Sequence, residues 1–142
     1  MRLYRIEKHD LGKEVTFCPR VPSNIVLHIE DNKTKRVCAA STPIGALWSS
    51  QMDMELHTFI EYGELSRKSK VPIWLYYTDI DNEFVYQPTA DEVSDVGLTG
   101  EFWIMKETKF IRANDEPENL TWSTTNSIAA LKRLSFVLLE KI

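Results

Sequence analysis

At Ser41-Thr42-Pro43 the side-chain period of this chain changes, and that change constrains the fold more than any other feature. Before it, Arg2-Leu-Tyr-Arg-Ile6 alternates, with Leu3 and Arg5 on one face and Tyr4 and Ile6 on the other, which predicts a first strand. Lys35 to Ala40 follows the turn-rich Asp31-Asn-Lys33 and predicts a second, buried strand. Thr42 then suits a helix N-cap and Pro43 the first helical position, where its missing N–H costs nothing. Ile44, Leu47, Trp48 and Met52, then Leu56, Phe59 and Ile60, continue at helical spacing, either in one helix or in two, with Gly63 as the stop.

Strand patterns resume beyond that block. Val71 to Thr78 is apolar on both faces, as a central strand is, and a turn at Asp79 to Asn82 leads into a short return strand over Glu83 to Tyr86. Glu101-Phe-Trp-Ile-Met105 is strand-like, and Lys109 to Arg112 is its expected partner. An acidic loop from Asn114 to Asn119, a short helix around Ser127 to Lys132 and a strand over Ser135 to Leu139 complete the reading. Strands before and after one main helical block, without βαβ alternation, predict an α+β domain on a mixed or antiparallel sheet. The 142 residues make one domain, 1–142.

Charge and targeting narrow the function classes. Seventeen Lys and Arg against 21 Asp and Glu give a net charge of −4, so no nucleic-acid partner is expected. The alternating start lacks the apolar core of a signal peptide, and no window approaches the roughly 18 apolar residues of a membrane span. A cytoplasmic protein with no membrane association is the expectation. Cys18 and Cys38, without Cys-x-x-Cys spacing, are expected as buried, reduced thiols. His9, His28 and His57 are isolated, so no metal site is expected. No phosphate-binding glycine loop and no nucleophile elbow occurs.

Four polar residues at three places remain, each a place where a strand begins or ends. Arg5 offers a forked donor for phosphate, Ser41 and Thr42 place hydroxyls beside a helix start, and Glu101 offers a carboxylate for an oxocarbenium-like centre. Those are the needs of glycosidic cleavage in a nucleotide. Taken singly, each residue also suits an ordinary role: a surface ion pair for Arg5, a helix cap for Ser41 and Thr42, a solvent-facing strand position for Glu101.

In Arg2-Leu-Tyr-Arg-Ile6, in Lys35-Arg-Val-Cys-Ala-Ala-Ser-Thr42 with the following Ile44-Gly-Ala-Leu47, and in Thr99-Gly-Glu-Phe-Trp103, the chain resembles the ADP-ribosyltransferase-like domains. Among these it is similar to the small RES-type NAD-degrading toxins and related bacterial and phage proteins. The resemblance implies NAD as substrate, with Arg5 holding the dinucleotide, Ser41 and Thr42 bracing the nicotinamide ribose, and Glu101 as the catalytic carboxylate. Thr99 stands two before Glu101, where arginine-modifying transferases carry glutamate, which favours NAD hydrolysis or another acceptor. Pro43 replaces the third hydroxyl of a Ser-Thr-Ser motif. The alternative is a non-catalytic module of the same fold that binds a host protein, as a phage or prophage factor would.

Overall fold

A computed structural model describes residues 1–22, 31, 33–49, 71–93 and 96–120. Among these residues eight strands are formed: β1 Arg2–Glu7, β2 Glu14–Phe17, β3 Val37–Ala40, β4 Val71–Asp79, β5 Val85–Tyr86, β6 Glu101–Ile104, β7 Thr108–Arg112 and β8 Glu118–Leu120. Helix among the described residues is confined to α1, Pro43–Ser49, the single turn α2, Val96–Thr99, and a 3-10 turn at Asn82–Phe84. The sheet runs β2-β7-β4-β1-β3-β6-β5, with β8 added on β4, and among the described residues every strand pairing is antiparallel. The antiparallel alternative of the expected sheet is therefore the one adopted. The main helical block is not: only the seven residues of α1 stand for it, and the predicted continuation over 51–62 lies outside the described residues, as do the helix and strand expected after 126.

Alternation in β1 and β4 builds two cores, one on each face of the sheet. Tyr4 and Ile6 pack with Ala40, Ile73 and Leu75 beneath Ala46 and Leu47 of α1. Leu3 packs on the other face with Val37, Ala39, Tyr76, Ile104 and Phe110. The sheet curls around this second core. Backbone bonds in both directions between Arg20 and Arg36, each 3.0 Å, tie the chain after β2 to the chain before β3. The Phe17 ring of β2 thereby comes within 4.2 Å of the Arg5 guanidinium, although β7 and β4 separate β2 from β1 along the sheet.

Several local expectations are corrected. β7 does not pair with β6; it lies between β2 and β4. The return strand is two residues long because the 3-10 turn takes up its first half. The acidic loop contains β8, and its first residue is interior: Asn114 is buried, its Oδ1 accepts the Leu75 N–H at 2.9 Å, and its Nδ2 donates to the Glu116 carbonyl at 2.7 Å. Cys18 is exposed and Cys38 half-buried, so neither is the fully buried thiol expected.

Candidate functional site

The site is built at the end of β3. Ala40 stands opposite Glu101 in the β3–β6 ladder, and the Ser41 N–H donates to the Gly100 carbonyl at 3.1 Å. Thr42 caps α1, its Oγ1 accepting the Gly45 N–H at 3.0 Å. Helix and strand meet closely here: a Cβ on Gly45 would lie 2.0 Å from the Thr99 carbonyl oxygen. Gly100 turns the chain from α2 into β6 at φ +63°, a conformation that glycine adopts freely and L side chains rarely do. Any side chain there would also press on Ser41 Oγ, 2.9 Å from the Cβ position. The two glycines thus hold Ser41, Thr42 and Glu101 in one junction.

Arg5 is not brought to it. Directly opposed residues of antiparallel strands share a face, so Tyr4, Ala40 and Glu101 lie on the α1 side of the sheet. Arg5, one residue on from Tyr4, projects to the other face with Leu3 and Glu7. Its guanidinium is engaged there on all three nitrogens. Nε and Nη2 donate to Glu7 Oε1 at 3.2 and 2.9 Å, and Nη1 donates to the Cys38 carbonyl at 2.6 Å.

Arg2, two residues before Tyr4 in β1, is on the Glu101 face. It makes a two-pronged pair with Asp79, at 2.8 and 2.9 Å, and lies over the Tyr77 ring. That pair is open to solvent, with side-chain exposures of 39% and 62%. Sequence alternation alone already places Arg2 with Tyr4; what it lacks is the register that brings Glu101 to the same side.

Glu101 is half-buried and has a built surround. Its Oε2 accepts the Trp103 indole N–H at 2.9 Å. The Trp103 ring, itself 1% exposed, contacts the Arg36 guanidinium at 4.1 Å and the Tyr86 ring at 5.6 Å. Arg36 is buried and bonded to the carbonyls of Asp31 and Thr34 through Nη1, at 3.0 and 2.9 Å. Cys38 shares this face, opposite Trp103. Burial first, then the negative charge of Glu101, push its thiol up to about 11, against the opposing pull of Arg36 and Arg5. It is a poor nucleophile at neutral pH. Trp103 and Arg36 lie inside the sequence motifs without a role of their own there; the i, i+2 spacing of Glu101 and Trp103, which puts both on one side of a strand, is the signal that finds the first.

Among the described residues, no three His, Cys, Asp or Glu side chains gather as a metal site, and no helix is long and apolar enough to cross a membrane. No protein-family model, no curated protein and no solved structure matches the chain.

Proposed function

We propose that the chain is an NAD-using enzyme of the ADP-ribosyltransferase-like kind, with its reaction centre at the β3–α1–β6 junction. The observation that supports this reading is the order β1-β3-β6, which sets the three motif-bearing strands side by side and joins Ser41 to Glu101 through the Gly100 carbonyl. In the proposed reaction the bond between nicotinamide and ribose breaks, and its electron pair leaves on the nicotinamide nitrogen. Water then attacks the ribosyl cation, giving ADP-ribose, nicotinamide and a proton. Glu101 stabilises that cation and bonds a ribose hydroxyl, and Ser41 supplies a hydroxyl to the same sugar. Thr42 acts through α1, since its oxygen is committed to the cap. Arg5 does not fit as the grip on the pyrophosphate, because its donors are engaged on the opposite face. Arg2 takes that part: its pair with Asp79 is open to solvent, so an incoming phosphate can compete with the Asp79 carboxylate for the same forked donors.

The test is nicotinamide release from NAD by wild type and Glu101→Gln. The substitution keeps the shape and removes the charge, so kcat should fall about a hundredfold or more while KM changes little. Wild type that neither binds NAD nor releases nicotinamide contradicts the reading. The engaged position of Arg5 favours a second reading in that event, a non-catalytic module that binds a host protein.

A further inference from the structure

We infer that Trp103 is a positioning residue for Glu101, its indole N–H fixing carboxylate oxygen Oε2 in the junction while Arg36 fixes the indole. The inference rests on the reading of Glu101 as the reacting carboxylate and adds to it the means by which that carboxylate is aimed.

A buried indole needs an acceptor, and a backbone carbonyl would serve. Here the acceptor is instead a half-buried carboxylate two residues back on the same strand face, at 2.9 Å. The ring is braced in turn. Arg36 lies 4.1 Å from its centre and is anchored by the Asp31 and Thr34 carbonyls, with the Asp31 carboxylate 3.7 Å from Nη1. The Asp31 carboxylate also accepts the N–H groups of Lys33 and Thr34 and the Thr34 hydroxyl. A line of contacts therefore runs from Asp31 and Thr34 through Arg36 and Trp103 to Glu101. A donor on the ionised carboxylate favours its charged form, and a carboxylate held in place does not have to reorganise as the ribosyl cation develops.

Trp103→Phe keeps a ring for Arg36 and deletes the donor. It should lower kcat for nicotinamide release about ten- to a hundredfold, the range of one hydrogen bond to a charged group, with KM changed far less. It should also move the acid limb of the kcat–pH profile to higher pH, which a packing defect alone would not do. Lower thermal stability with an unchanged profile would overturn the inference. Should Trp103→Phe fail to fold, the wild-type indole 15N–1H resonance of Trp103 carries the test. It should follow one carboxylate titration that is absent in Glu101→Gln, and a resonance indifferent to pH rejects the pairing. A titrating indole in a protein that releases no nicotinamide overturns the positioning role through the failure of the enzymatic reading, with the contact itself intact.

Discussion

Arg5 lies on the Leu3 face of β1 with all three guanidinium nitrogens bonded, to Glu7 and to the Cys38 carbonyl. Its face follows from alternation with Leu3, and β1 keeps that alternation. The face of Glu101 does not follow from its own strand: it depends on the register of β6 against β3, a contact between positions far apart in sequence. We predict that Arg5→Met destabilises the protein by about 1–3 kcal/mol, the range for lost bonds to a charged group, while leaving the KM for NAD within about twofold. Chemical denaturation and steady-state kinetics on one preparation separate the two effects. Asp31 makes a second prediction at this scale. Bonds from the Thr34 backbone and hydroxyl and from the Lys33 N–H hold its carboxyl down at about 2, against an ordinary 3.8. Because the folded value is the lower one, the stabilisation is complete above about pH 4 and disappears as pH falls toward 2. Thermal melts across that window should show a shallower acid loss for Asp31→Asn than for wild type.

At the scale of elements, what was legible was local. β1, β3, β4, β6 and the start of α1 were all marked by period, capping or apolar content, and all are present. The missed pieces are held by distant partners. β2 is four residues of half-exposed chain that become a strand only against β7, and β8 exists through its pairing with β4. Asn114 looked like the opening of a polar loop, yet it takes over the Leu75 N–H where β4 leaves β7 and passes to β8. α1 sits on the turn before β6 with no room for a side chain at Gly45. Gly45→Ala would drive a methyl group into the Thr99 carbonyl, so α1 must lift or the turn must move. Overpacking of this kind costs about 1–3 kcal/mol. A melt should show that loss, and nicotinamide release should fall with it, because Ser41 and Glu101 flank the same contact; full activity in a destabilised Gly45→Ala protein would detach α1 from the site.

For the whole molecule, the sequence supported an α+β domain with strands on both sides of a helical run, and the described residues form an antiparallel sheet with little helix. Strand order was not legible, because the pairing of β7 with β2 and β4 rather than with β6 joins positions far apart in sequence. Strand alternation gives the sheet two faces with different chemistry. One carries Arg5, Glu7 and Phe17; the other carries Arg2, Glu101 and Trp103 on the side of α1. A chain of net charge −4 offers a dinucleotide no general attraction, so binding must come from one of these faces. Titration of 15N-labelled protein with NAD decides between them. Shifts centred on Ser41, Gly100, Glu101 and the Trp103 indole, with Arg5, Glu7 and Phe17 unmoved, are the predicted result; an absence of shifts, or shifts confined to the Arg5 face, would contradict the assignment of the site.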